Sequence, residues 1–265
     1  MEARGFARVE FASFSEYCFH FNFGSPTPKE LRGMLDDAGL HPICLNYSRG
    51  PFEAWRRVEI DRFVDDWSRK LDHLAEVGIP LMTMPFGVRN NLPDQELQLA
   101  AAVETYDRVG EIGAQRGVRM LLEVPHLYNI MHRPHHALWV FDRLTSSNVG
   151  ALVDTSHWGI IDYDPDVFFR ALGDRLWHVH LRDSAGPDTA DGKQELELTP
   201  GKGTADFRRF AEALDRADYR GDVTIEFEYR DTTLEEIERE YDEGLKHLSL
   251  CGWELPEAVQ RTLEK

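Results

Sequence analysis

Short apolar segments rich in β-branched and aromatic residues alternate along this chain with longer segments of helical periodicity. The predicted strands cover residues 8–12, 41–47, 80–86, 118–124, 149–153, 176–181 and 222–227. The predicted helices lie near residues 27–38, 53–77, 93–116, 134–145, 164–173 and 206–217. A strand followed by a helix and another strand needs a crossover connection, which produces a parallel sheet covered by helices. The alternation therefore predicts an α/β fold.

The ends of the predicted helices carry residues that favour helix initiation or termination. Pro28 precedes Glu30, and Pro165 follows Asp164, as is common in the first turn of a helix. Gly39, Gly78 and Gly117 follow predicted helices, where a left-handed cap needs no Cβ. A last helix is predicted over residues 231–246, and its run of acidic side chains is typical of a solvated face.

The length of 265 residues fits one α/β barrel, and no linker or change of composition divides it. We therefore expect a single domain over residues 1–265. A closed (β/α)8 TIM barrel needs eight strands, whereas about seven are predicted here. The first β/α unit is then either absent or irregular, and in the second case the aromatic residues 17–23 would supply its strand.

The balance of charge restricts the possible partners. The formal net charge of −17 predicts repulsion from nucleic acid and from anionic membrane surfaces. The three cysteines are far apart and form no CxxC pair, so a reducing compartment fits. No signal peptide pattern and no run of about 18 apolar residues is present, and we expect a cytoplasmic protein.

Polar side chains occur where four of the predicted strands end. They are Glu123, Asp154, His180 and Glu226. Each residue alone also has an ordinary structural role: a loop residue for Glu123, a helix cap for Asp154 and a hydrogen-bonded core histidine for His180. Glu226 alternates with Glu228, and one of these two is expected to be structural. The carboxyl ends of parallel barrel strands meet at one mouth, so these groups should converge. Three carboxylates and an imidazole suit Mn²⁺, with Mg²⁺, Co²⁺ or Zn²⁺ as alternatives.

The order and spacing of these motifs resemble those of the xylose isomerase-like TIM-barrel superfamily over residues 5–246. The resemblance rests on the Glu123 and Glu226 strand ends and on the sequences Asp-x-x-His at 154–157, His-x-His-x-Arg-Asp at 178–183 and Gly-x-Gly at 201–203. That superfamily includes sugar phosphate isomerase/epimerases, inosose dehydratases and endonuclease IV.

The resemblance also implies roles for individual residues. Glu123, Asp154, His180 and Glu226 resemble metal ligands, whereas His157, Arg182 and Glu10 resemble substrate contacts. Lys202 departs from the pattern, because the family usually has Glu in the middle of the Gly-x-Gly loop. Trp158, Phe86 and Tyr47, at other strand ends, could form apolar walls for a sugar ring or belong to the core.

The activity implied by the resemblance is that of a divalent-metal-dependent isomerase or epimerase acting on a sugar or sugar-like polyol such as a ketose. Glu123 and Glu226 would exchange a proton with the substrate through a metal-stabilised enediolate.

A histidine-rich loop favours a lyase of the same superfamily as the alternative. His126 and His132 follow Glu123, and a neutral imidazole there could serve as the base of an elimination. The enzyme would then be a dehydratase, or a deglycosidase that cleaves a keto-glycoside. His135 and His136, at the start of a predicted helix, are expected at the surface.

Two other classes of protein remain as alternatives. An endonuclease IV-like phosphodiesterase needs more metal ligands and a basic face, which the charge of −17 disfavours. A non-catalytic or partner-dependent barrel subunit is favoured only by the short N-terminal region. A small carbohydrate is thus the expected partner, and the chain could form a homo-oligomer or pair with a partner subunit.

Overall fold

A computed structural model describes residues 5–14, 23–48, 57–85, 87, 89, 95–161, 163–186, 196–229 and 232–263. These residues form two compact units. The first unit is Ala7–Leu152, and the second unit is Val153–Lys265 with Met1–Phe6. The expectation of a single domain over residues 1–265 stays a prediction.

The first unit contains parallel strands that are paired in chain order. The strands are β1 (Arg8–Phe14), β2 (His41–Ser48), β3 (Leu81–Thr83), β4 (Arg119–Glu123) and the first residues of β5 (Val149–Asp154). The helices are α1 (Pro28–Asp37), α2 (Arg57–Val77), α3 (Gln95–Arg116) and α4 (Pro134–Phe141). The register pairs Leu45 with Met82, and Glu123 with Leu152.

The second unit continues the alternation. Its strands after β5 are β6 (Leu176–Leu181) and β7 (Asp222–Ile225), which are parallel and pair His178 with Asp222. Its helices are α5 (Thr155–Ile160), α6 (Pro165–Leu172), α7 (Phe207–Arg216), α8 (Leu234–Leu250) and α9 (Glu257–Leu263). A 3-10 turn covers Gly173–Arg175. Parallel pairing and the strand–helix alternation confirm the predicted fold class.

The described part of the chain has seven strands, the number that the sequence predicts. Helices α5 and α9 were not predicted. The segment 17–23, considered as an irregular first strand, lies outside the described residues except for Phe23, which is in a turn. Phe86, one of the expected apolar walls, also lies outside them.

Buried apolar side chains stabilise both units. In the first unit Trp67, Leu71, Tyr106 and Met120 are fully buried. In the second unit Leu245, Leu255 and Val259 form a cluster with Phe6 and other partly buried side chains. Among the described helices, none is both long and apolar enough for a membrane span.

Candidate metal centre

Asp154 lies at the end of β5 and is completely buried. Its side chain caps helix α5 by accepting a hydrogen bond from the backbone N–H of Ser156 at 2.7 Å. The other carboxylate oxygen accepts a hydrogen bond from Arg182 Nη2 at 2.5 Å. The Asp-x-x-His motif therefore forms a strand end followed at once by a short helix, and both oxygens of Asp154 are held in place.

His180 and Glu226 come from the neighbouring strands β6 and β7. His180 is 1% exposed, and its Nδ1 lies 3.1 Å from Glu226 Oε2. The backbone N–H of Glu226 donates to the carbonyl of Leu181 at 3.2 Å and so extends the β6–β7 pairing by one residue. A ring nitrogen of His180 and a carboxylate oxygen of Asp154 lie within 4.8 Å of each other. Three of the four predicted metal ligands are thus grouped in the second unit.

Arg182 connects this group to Glu228, the alternating neighbour of Glu226. Its Nη1 donates to Glu228 Oε2 at 2.7 Å, its Nε donates to Ser156 Oγ at 3.2 Å, and the same Nε lies 3.5 Å from Glu226 Oε2. Both Arg182 and Glu228 are buried. Both glutamates lie within 3.5 Å of the Arg182 guanidinium, and the expectation that one of the two is only structural stays a prediction.

His157 and Trp158 occupy helix α5. His157 is 1% exposed, and its Nε2 lies 3.9 Å from Asp154 Oδ2. The Trp158 ring packs against Phe168, with centroids 5.2 Å apart, and against Phe210 at 6.1 Å. These are contacts of a core residue, and the predicted roles of both side chains toward the substrate stay predictions.

Glu123 ends β4 in the first unit and is half-buried. His126 Nε2 lies 3.9 Å from Glu123 Oε2, while His126 Nδ1 accepts a hydrogen bond from the backbone N–H of Tyr128 at 3.2 Å. A ring nitrogen that accepts a backbone hydrogen bond carries no proton, so in the neutral imidazole the proton is on Nε2. The proton of His126 therefore lies on the side of Glu123.

The remaining histidines of this loop differ from one another in burial. His132 is buried, and within the described part of the chain its Nδ1 has no hydrogen-bond partner. Burial lowers the pKa of His132, and the positive charges of Arg89 and Arg133 lower it further. His135 is exposed as predicted, whereas His136 is half-buried.

Glu10 differs in position from the expectation. The resemblance matches it to a strand-end Glu of the family, but β1 continues to Phe14, because its pairing with β2 extends as far as Ser48. Glu10 lies opposite Cys44, and a carboxylate oxygen is within 4.8 Å of the Cys44 sulfur. Its predicted contact with substrate stays a prediction. Tyr47, the other apolar wall in the first unit, is buried against Trp67 at a centroid distance of 5.4 Å.

Comparison with known proteins gives relatives of two activities. Over 226 residues the chain is 25% identical to the 3-dehydroshikimate dehydratase of Pseudomonas aeruginosa, a match covering 84% of this chain and 34% of that protein. Over 129 residues it is 32% identical to the L-ribulose 3-epimerase of a Methylomonas species, covering 48% of this chain and 41% of the relative. The matches therefore span between a third and a half of these relatives' length.

The structural comparison and the family comparison agree. The structure of D-psicose 3-epimerase from Clostridium cellulolyticum H10 has a TM-score of 0.74 at 17% identity, and the alignment covers 94% of this chain and 90% of the other. The family model described as xylose isomerase-like TIM barrel matches residues 1–251. The chain belongs to the xylose isomerase-like TIM-barrel family.

Proposed function

We propose that this protein is a divalent-metal-dependent isomerase or epimerase that moves a proton on a carbon next to the carbonyl of a sugar or polyol. The observation that carries the proposal is the grouping of buried Asp154 and His180 with half-buried Glu226 beside Arg182. The resemblance adds Glu123 as the fourth ligand.

The charges of this group fit a divalent cation. Three carboxylates, those of Asp154, Glu226 and Glu228, lie within 3.5 Å of a single guanidinium, that of Arg182. Carboxylates grouped this closely are costly to bury without positive charge. A divalent ion would lower this cost.

The donor atoms fit as well. His180 Nδ1 and Glu226 Oε2, which lie 3.1 Å apart, would hold the ion together with an oxygen of Asp154. Oxygen ligands with one imidazole favour Mn²⁺, and Mg²⁺, Co²⁺ and Zn²⁺ remain alternatives.

A bound ion of this kind polarises a substrate carbonyl and makes the adjacent C–H bond more acidic. The protein residues orient the reacting groups. Arg182 and the Ser156 N–H fix the Asp154 carboxylate. We assign Glu226 and Glu123 as the pair that removes and returns the proton.

The relatives support a small carbohydrate substrate, because two of them are named as epimerases of ketoses. The test is solvent proton exchange into a panel of ketoses and keto-glycosides, followed by NMR on the Mn²⁺-loaded protein in D₂O. Deuterium on the carbon next to the carbonyl, with all carbons and oxygens retained, is the expected result. Glu226→Gln should abolish it, and the exposed Glu238→Gln should not. No exchange with any member of the panel would contradict the proposal.

A metal-dependent lyase is the second candidate, favoured by the match to a dehydratase over 84% of this chain. Elimination needs an acid for the leaving oxygen as well as a base. Since the proton of His126 is on Nε2, His126 fits the donor to a leaving oxygen better than it fits the base. In the same NMR experiment, loss of water or of an aglycone would identify this reaction. His126→Gln, which keeps an N–H donor, should then retain more activity than His126→Ala.

A further inference from the structure

A cleft of about 520 Å³ lies in the second unit, next to the group around Arg182. Its walls come from the segment before α7, the segment after β7 and helix α8. The lining residues that matter here are Thr199, Lys202, Glu228, Tyr229 and Glu240. The volume falls within the range of about 300–1,000 Å³ that is usual for ligand sites. The proposed proton transfer assigns no role to this cleft.

Hydrogen bonds and ion pairs among the polar side chains of the cleft hold them in place. The hydroxyl of Thr199 donates its one proton to the Glu240 carboxylate. The hydroxyl of Tyr229, which lies 2.7 Å from Thr199 Oγ1, is therefore the donor in the second hydrogen bond. Lys202 Nζ contacts Glu240 at 2.5 Å and Glu243 at 2.9 Å. Burial raises the pKa of Tyr229 to about 12, which keeps the phenol neutral. The Tyr229 oxygen and the carboxylates are therefore oriented acceptors.

The charge of the lining determines the class of ligand. Four carboxylates, those of Glu197, Glu228, Glu236 and Glu240, face two cations, Lys202 and Arg239. This excess of carboxylates over cations in the lining disfavours a phosphate or a carboxylate. Oriented acceptors suit hydroxyl donors, and the Tyr229 ring, stacked on Phe227 at a centroid distance of 5.3 Å, adds a flat apolar surface. A sugar ring has both hydroxyl donors and an apolar face.

The guanidinium of Arg182 contacts both the cleft and the candidate metal centre. Glu228, which lines the cleft, accepts from Arg182 Nη1 at 2.7 Å, and Asp154 accepts from Nη2 of the same group at 2.5 Å. A ligand that fills the cleft would therefore lie beside the group that holds a metal ligand. A molecule that reaches both the metal centre and the cleft would need a reacting ring and a second polyhydroxyl group joined to it.

We propose that the cleft binds a neutral polyhydroxyl group, such as a second sugar ring, that is joined to the ring on which the metal centre acts. This inference rests on the proposed function and narrows its substrate to a glycoside-like molecule. A free monosaccharide leaves the cleft empty, and a phosphorylated sugar is repelled from it.

Binding of cellobiose tests the proposal without requiring turnover. Titration of the full-length Mn²⁺-loaded protein, followed by saturation-transfer NMR, should show saturable binding, with glucose 6-phosphate at least about tenfold weaker, a difference of about 1.4 kcal/mol. Tyr229→Phe and Glu240→Gln should each weaken cellobiose binding about fivefold or more, and Glu238→Gln, on the same helix outside the cleft, should not. Thermal unfolding of each variant shows whether it is folded.

Two results would overturn the proposal. One is the absence of saturable cellobiose binding, and the other is that Tyr229→Phe and Glu240→Gln are both folded and bind cellobiose as tightly as the wild type. Failure of the proposed function is a separate result. If proton exchange is absent but cellobiose binding depends on Tyr229 and Glu240, the cleft is a carbohydrate site and the assigned reaction is wrong. If monosaccharides exchange protons but cellobiose does not bind, the reaction stands and the cleft proposal fails.

Discussion

The guanidinium of Arg182 donates to the carboxylate of Asp154 at 2.5 Å, and both side chains are buried. The same guanidinium also contacts Glu228 and Ser156. One cation thus orients a predicted metal ligand and stabilises a buried carboxylate that lines the neighbouring cleft.

Replacement of Arg182 should destabilise the protein strongly. Arg182→Met leaves two buried carboxylates without their cation, and the free energy of unfolding should fall by about 3–5 kcal/mol. Arg216→Met is the matched control, because Arg216 forms an exposed ion pair with Asp166 and should contribute little. Urea unfolding measures the free energy of unfolding of both variants. Equal stabilities for the two variants would show that the buried network contributes no more than a surface ion pair.

Glycine at position 203 is required by a close approach of the backbone. Asp183 accepts hydrogen bonds from the backbone N–H groups of Gly201 at 2.9 Å and Gly203 at 2.8 Å. A Cβ on Gly203 would lie 2.1 Å from the carbonyl oxygen of Ser184. Gly203→Ala should therefore lower the free energy of unfolding by roughly 1–3 kcal/mol.

Gly33→Ala is the control for Gly203→Ala. Gly33 is inside helix α1 and a Cβ there meets nothing within 4 Å, so the change should stabilise by about 0.5–1 kcal/mol. A neutral result for Gly203→Ala would mean that the loop adjusts without loss of the Asp183 hydrogen bonds.

Half-buried His136 should make stability depend on pH. Burial, with the neighbouring His135 and His132, lowers its pKa from 6.5 to about 4 in the folded protein. Between pH 6.5 and about 4, the unfolded chain binds more protons than the folded protein. The stability that His136 contributes is therefore complete above pH 6.5 and is lost as the pH falls toward 4.

Replacement of His136 by Gln removes this contribution. Urea unfolding of the wild type and His136→Gln at several pH values from 7 to about 4.5 should show a smaller acid-induced loss of stability in the variant. The exposed neighbour gives the control, because His135→Gln should change this dependence less. Parallel curves for wild type and His136→Gln would contradict the assignment.

Much of the fold follows from local sequence signals. Thr27 and Glu30 form a capping box at the start of α1, and Asp164 caps α6 in front of Pro165. Gly39, Gly78 and Gly117 have φ values of 63°, 85° and 71°, the left-handed conformation predicted for them.

Helix α5 was not predicted for a physical reason. Asp154 is both the last residue of β5 and the N-cap of α5, so there is no connecting segment that would indicate a helix start. The contact between Arg182 and Glu228 also could not be read from the pattern, because the two residues are 46 positions apart. Such a pairing depends on the register of β6 and β7, which local periodicity does not specify.

We infer that Asp154, His180 and Glu226 hold a divalent ion, and calorimetric titration with Mn²⁺ tests this claim. We expect about one Mn²⁺ ion per chain for the wild type and for Glu238→Gln. His180→Ala and Glu226→Gln should bind it at least about tenfold more weakly, because each removes one ligand. Absence of Mn²⁺, Mg²⁺, Co²⁺ and Zn²⁺ binding in the wild type, or unchanged binding in both folded variants, would contradict the claim.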